Sequence, residues 1–264
     1  MKSKIFFSTS LLVVIILSSC SKSYVQVFDT ATTNTQAKDD CFIYETDSLK
    51  ITYSFWASKG VMSFAIYNKL DKPLYIDWKN SSFICNDNKF NYWIDEIKTN
   101  STSYYRGYSY NGPLLRPGST ISETIQNSSS SSIKPEKVVN IPPKSNCSGA
   151  QQFYLLPIQY YPLNSDCKKD IVLRNDNLKT KTTVSSQEFS ISNTPLRFRN
   201  YLAFSYTENT QQYFFIDNEF YLTHVKSMEP KHFYGKSIGV GKNGNKLYRS
   251  EYTKMTSFYI QVTK

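Results

Sequence analysis

The chain has little of what helices and metal sites are built from. Its 264 residues include six alanines, nine glutamates and two histidines, with no Cys-x-x-Cys pair. Alanine and glutamate favour helices, whereas the 21 Tyr and 17 Phe present here pack well on a pleated surface and lose rotamer freedom against a helical turn. No segment sustains a 3.6-residue apolar period, so an all-β protein with few and short helices is expected. With only His224 and His232 and no paired thiolates, zinc is disfavoured and no cofactor is expected. Hydrophobic residues at 40% and only nine glycines exclude disordered and collagen-like chains. Signature motifs of catalysis are also missing: there is no Gly-x-Ser-x-Gly, no His-Glu-x-x-His and no Walker loop. A non-catalytic binding or structural module is therefore expected. The alternative is a glycan-active hydrolase, because its carboxylate pair is defined by separation in space and leaves no local signature.

Long apolar runs are absent too. The longest, Ile5 to Leu17, has 13 residues and follows Lys2 and Lys4. As a helix it would rise about 20 Å, short of the roughly 30 Å of a bilayer core, so it has the layout of a secretory signal. Leu17-Ser18-Ser19-Cys20 closes it and resembles the lipobox of bacterial lipoproteins, with Ser19 in place of the more usual Gly or Ala. The resemblance implies a signal peptide over 1–19, a diacylglyceryl group and palmitate on Cys20, and an exported protein anchored to the cell envelope, at the outer membrane. Its partner would be the membrane, reached through the lipid, and not nucleic acid. Loss of 1–19 removes Lys2 and Lys4 and lowers the net charge from +10 to +8. Residues 20–40, polar and Thr-rich, are expected to be a flexible tether ahead of a β-domain over 41–264, either a single lobe or divided by a second β lobe from about 187.

Four cysteines then remain: Cys41, Cys85, Cys147 and Cys167. An even set in an exported chain allows disulfides, and short separation favours Cys41 with Cys85 and Cys147 with Cys167. Buried free thiols are the other reading, since a chain of this length folds without staples.

From Leu49 the sequence alternates strictly. Leu49, Ile51, Tyr53 and Phe55 share one face, and after Ser58-Lys59-Gly60 so do Met62, Phe64 and Ile66. Leu74, Ile76 and Trp78 follow an Asn68 to Pro73 turn in which Asp71 can bond its own backbone. Further strands are expected at 121–125, 138–141, 153–158, 189–191, 196–206, 213–225 and 257–262, while 99–133 is Ser- and Tyr-rich loop. The stretch FAIYNKLDKPLYIDWKNSSF, Phe64 to Phe83, with Ile141-Pro142-Pro143-Lys144-Ser145, resembles immunoglobulin-like sandwiches of secreted bacterial proteins. That resemblance implies an elaborated immunoglobulin-like β-sandwich and brings no binding site with it.

Gly239-Val240-Gly241-Lys242-Asn243-Gly244 matches the dinucleotide-binding glycine pattern in form, but no helix and no acidic residue about 20 positions on can follow before Lys264. Asn243-Gly244 reads instead as a tight hairpin turn. Charge is unevenly spread. Tyr221 to Lys264 holds seven Lys and Arg249 against Glu229 and Glu251, a basic pole that suits an anionic surface or glycan, or else a solvated lysine face. Arg197 and Arg199 project from one strand face as carboxylate partners or solvated cations. The candidate binding residues are Tyr104, Tyr105, Tyr108 and Tyr110 with Arg106, because loop tyrosines offer a stiff contact face with a polar tip. Asp29-Thr30-Ala31 and Asp47-Ser48-Leu49 resemble the acceptors of some bacterial O-glycosylation systems.

Overall fold

Period-two alternation becomes two sheets that share one apolar interior. The computed structural model describes residues 23–93, 136–148, 152–208, 212–241, 243–248 and 250–263. In chain order its elements are β1 (Ser23–Thr32), β2 (Gln36–Lys38), β3 (Cys41–Glu45), β4 (Leu49–Ser54), β5 (Ser63–Asn68), β6 (Leu74–Cys85), β7 (Asn88–Asn91) and β8 (Val138–Ile141). They continue with β9 (Asn146–Cys147), β10 (Lys168–Arg174), β11 (Asn177–Glu188), β12 (Arg197–Ser205), β13 (Phe214–Met228), α1 (Pro230–Tyr234), β14 (Ser237–Val240), β15 (Lys246–Tyr248) and β16 (Ser257–Thr263). Among the described residues the protein is all-β with one short helix.

A nine-stranded sheet runs β10-β11-β13-β12-β6-β7, with β1 paired to β13 and β16, and β8 paired to β6. A five-stranded sheet runs β2-β3-β4-β5-β9, and β14 pairs with β15 alone. The strand faces follow the alternation: Leu49, Ile51, Tyr53 and Phe55 are buried, as are Leu74, Ile76 and Trp78. Phe42, Tyr53 and Phe55 from the smaller sheet meet Phe198 and Phe220 from the larger, and Phe220 lies 4.8–5.3 Å, ring to ring, from Tyr53, Phe55 and Phe42. Offset and edge-on packing of this kind adds to the burial of each ring.

Polar groups inside this interior are mostly tied. Asp77 and Ser81 hold a bulge in β6: Asp77 Oδ1 accepts from the Lys79 and Asn80 amides at 2.9 and 3.2 Å, and the Ser81 hydroxyl accepts the Ala203 amide at 3.0 Å where the ladder with β12 skips. A buried amide freed by the bulge is thereby satisfied. The turn after β5 is organised by Asn68 rather than by Asp71. Asn68 is fully buried, its Nδ2 donates to the carbonyls of Lys72, Ile141 and Pro142 at 2.9, 2.9 and 3.1 Å, and its Oδ1 accepts from the Leu70 amide. Asp71 instead faces solvent and pairs with Lys144 at 3.2 Å.

Several expectations are corrected. Residues 23–32, expected as tether, are a central strand: β1 sits between β13 and β16, and Val25, Gln26, Val27 and Phe28 are all buried. Of the one-lobe and two-lobe alternatives, the pairing of β12 with β6 and of β13 with β1 puts these strands after 187 in the same sheet as earlier ones. Residues 153–158 make backbone bonds to Lys59, Gly60 and Met62 and a single bridge at Tyr154, with no ladder. Residues 191–193 form a turn. The expected strand at 121–125 lies outside the described residues. Asn243-Gly244 does close a hairpin, with Gly244 at φ 79° and the Gly241 amide bonded to Asn245 O at 2.7 Å.

Candidate binding surface

Of the residues singled out from sequence, Cys20, Tyr104, Tyr105, Arg106, Tyr108 and Tyr110 lie outside the described residues. In place of the favoured disulfides, Cys41, Cys85, Cys147 and Cys167 are all free thiols. Cys41 opens β3 in the smaller sheet and Cys85 ends β6 in the larger, while Cys147 pairs against Ile66 in β9 and Cys167 precedes β10. Burial pushes the Cys41 thiol up to about 11, and raises those of Cys85 and Cys147.

Both arginines pair with carboxylates of β13 while staying partly exposed. Arg197 grips Glu219 Oε1 through Nε and Nη2 at 3.2 and 2.6 Å, and Arg199 forks onto Asp217 with contacts of 3.1 and 3.0 Å. Asp29 Oδ1 accepts from Ser257 Oγ at 2.8 Å, and Oδ2 accepts from Lys226 Nζ at 2.9 Å and lies 3.8 Å from His224 Nδ1. Burial works to raise the Asp29 pKa, but bonds from Lys226 and Ser257 and the charge of Lys226 and Lys254 outweigh it and hold the carboxyl below its ordinary range. Nucleophilic catalysis needs the imidazole between hydroxyl and carboxylate. Here the carboxylate is in the middle, and Ser257 is buried. Thr30 and Ser48, read as glycosylation acceptors, bond Thr256 O and the Tyr206 hydroxyl. Among the described residues no group of three or more His, Cys, Asp and Glu side chains is placed to hold a metal ion.

One end of the larger sheet is different. The β-ladder sets which elements meet there: β1 begins beside the end of β13, with Val25 opposite Met228, and Ser23 faces Thr263 at the end of β16. β11 pairs with β13 only over Ser185–Glu188, so its first half and the β10–β11 turn run past Met228 in the same direction. Met228 leads directly into α1. Glu229 caps this turn, Pro230 opens it with a preset φ, and Gly235 at φ 66° ends it. The short helix drives Phe233 into a small apolar cluster with Val25, Val27, Val184 and Met228, flanked by Trp56, Tyr252 and Tyr259. His232 is buried beside it. Its Nδ1 accepts the Asn175 amide at 3.3 Å, so its proton lies on Nε2, which donates to the Tyr252 hydroxyl at 2.8 Å. Burial lowers the His232 pKa against the opposing pull of Glu251, Glu229 and Asp176.

Outside that cluster the surface turns apolar. Asn175, Leu178, Gly235, Lys236, Ile238, Ser250 and Glu251 line one shallow depression between the β10–β11 turn and the β14–β15 hairpin. Ile171 is 72% exposed, Leu178 59%, and Ile238 and Val240 66% each, with Leu173, Leu247 and Tyr248 also exposed. Lys179, Lys181, Lys231, Lys236 and Lys246 stand exposed among them. Contiguous exposed apolar side chains rimmed by charge mark contact surfaces. Alternation across β14 and β15 could not show this from sequence, since a hairpin packed on the sandwich reads the same way. No family model, curated protein or solved structure matches this chain.

Proposed function

We propose that the chain is an exported lipoprotein of the bacterial cell envelope, anchored through Cys20 at the outer membrane, whose sandwich acts by binding and not by catalysis. The observation that carries this reading is the apolar and lysine-rich end of the larger sheet. Seven of the 13 large hydrophobic side chains exposed among the described residues lie there, the five most exposed included, while Asp29, Asp77, Asp217 and Glu219 are each engaged by partners within the chain. An immunoglobulin-like sandwich is part of the reading, and the tie from Asn68 to Ile141 and Pro142 supports it by joining the two segments that carry the resemblance. Anchoring is tested by labelled palmitate, which the parent incorporates and Cys20→Ala does not. Binding is tested with an acidic polysaccharide such as polygalacturonate: a binding module melts at a higher temperature in its presence and releases no reducing ends. Release of reducing sugar would favour the glycan hydrolase.

A further inference from the structure

From the geometry of that end, we infer that it is the face turned to the bilayer, with the β14–β15 hairpin and the β10–β11 turn seated against anionic lipid headgroups. The proposal rests in part on lipid anchoring at Cys20 and names the partner of the surface described above.

Chain length ties this end to the membrane. Cys20 stands three residues before Ser23, where β1 already pairs with β16. Three residues span at most about 10 Å even fully extended. An anchored domain is thus held close to its membrane, by the end at which β1 begins. That end is shared with the exit of β13, with α1 and with the hairpin: Val25 lies opposite Met228, and the Gln261 side chain of β16 bonds the Tyr234 hydroxyl of α1. A long tether would have left the orientation free. The short one does not.

Charge points the same way, independently of the anchor. Between Lys236 and Arg249 the sequence carries Lys236, Lys242, Lys246 and Arg249 and no acidic residue. Ile238, Val240, Leu247 and Tyr248 stand with Lys246 on a two-stranded sheet that has no further strand partner among the described residues and whose side chains face solvent. Ile171 and Leu173 of β10 and Leu178 of β11 add exposed apolar side chains on the strands that lead into and out of the β10–β11 turn, with Lys179 and Lys181 also exposed on β11. Apolar side chains partition into the headgroup and acyl boundary, tyrosine suits that boundary, and lysines are drawn to an anionic surface within a Debye length. A protein partner would be better met by mixed charge. In this region the acids are few and mostly paired: Asp176 and the half-exposed Glu229 both meet Arg174, leaving Glu251 in the lining of the depression.

The test uses the chain from Ser21 onward, which holds every described strand and both apolar clusters and lacks the anchor. The parent should pellet with vesicles of phosphatidylcholine and phosphatidylglycerol and stay in solution with phosphatidylcholine alone. Lys236→Glu with Lys246→Glu should weaken pelleting by more than about tenfold, since each reversal removes one attraction and adds one repulsion. Ile238→Ser, Val240→Ser and Leu247→Ser together should also abolish it. All five positions are exposed, so melting should not change; if the serine variant melts early, the charge reversal alone decides. Absence of pelleting by the parent, equal pelleting with both lipids, or charge-reversed protein that binds as the parent does would overturn the proposal. Palmitate on Cys20 reads the anchor separately. Labelled Cys20 without vesicle binding sinks this inference and leaves the anchor intact, whereas vesicle binding without label does the opposite.

Discussion

The Tyr53 hydroxyl of β4 donates a 2.8 Å hydrogen bond to Asn218 Oδ1 of β13, joining the two sheets by a polar link through their apolar core. Asn200, opposite Asn218 in the ladder, donates to the same hydroxyl at 3.2 Å and accepts from Tyr92 at 2.6 Å. Tyr53, Asn200 and Asn218 are fully buried, and Tyr92 nearly so. In such a setting each bond fixes how the sheets face one another, because a buried polar group cannot turn to water instead.

Tyr53→Phe keeps the ring and deletes the link. It leaves Asn218 Oδ1 and Asn200 Nδ2 without their partner, and Asn218 Nδ2 already lacks one. We expect a loss of roughly 1–3 kcal/mol in urea unfolding. An unchanged midpoint would mean that the chain contributes nothing net.

Gly60 has a left-handed backbone at φ 63°, and a Cβ there would fall 2.8 Å from Phe258 Cγ and 3.0 Å from Leu155 Cδ1. Both the backbone and the core resist a side chain, so Gly60→Ala should destabilise by about 2–4 kcal/mol. Gly244 has a similar φ with open space around it, so Gly244→Ala should lose only the smaller backbone part. Similar losses at the two sites would contradict the packing argument.

Stability should fall in two acid windows. His232 and His224 have lowered pKa values when folded, so the unfolded chain binds their protons first. Their contribution is full above the unfolded value of about 6.5 and is lost as pH drops through the folded values. His232→Gln should flatten the first window, because protonated Nδ1 could no longer accept from Asn175. Asp29, also lowered, gives a second loss beginning below about 4. Melting curves from pH 8 to pH 3 for parent and variant read both, and a slope unaltered in His232→Gln would refute the assignment of the first.

Thiol titration of the folded chain from Ser21 should be slow at pH 8 for Cys41, whose pKa is pushed up to about 11, and complete at four thiols once unfolded. Reductant should leave the melting temperature unchanged. Recovery of fewer than four thiols would show a disulfide.

Much of the fold was legible because a half-buried strand writes its face into the sequence. Leu49 to Phe55 and Leu74 to Trp78 are such strands, and the Asn243-Gly244 turn needs only local backbone chemistry. β1 was not legible for a specific reason. It is buried on both faces, and Gln26 occupies one of the interior positions, where its amide donates to Tyr161 O and accepts from Tyr161 N, both at 2.8 Å. A polar residue satisfied by a loop 135 positions away breaks the apolar pattern that would have marked a strand.

Composition and alternation alone determined that the chain is all-β, which faces of its central strands turn inward, and that its C-terminal portion is basic. Those properties depend on side-chain chemistry and on neighbours two residues away. Which strand lies beside which was decided only in three dimensions, and with it the free state of the four thiols, the capture of Arg197 and Arg199 by Glu219 and Asp217, and the convergence of β1, α1 and the β14–β15 hairpin at one end. A period of two records that a face is buried and is silent on the partner that buries it, because pairing is selected by closure of the whole core over long sequence separations.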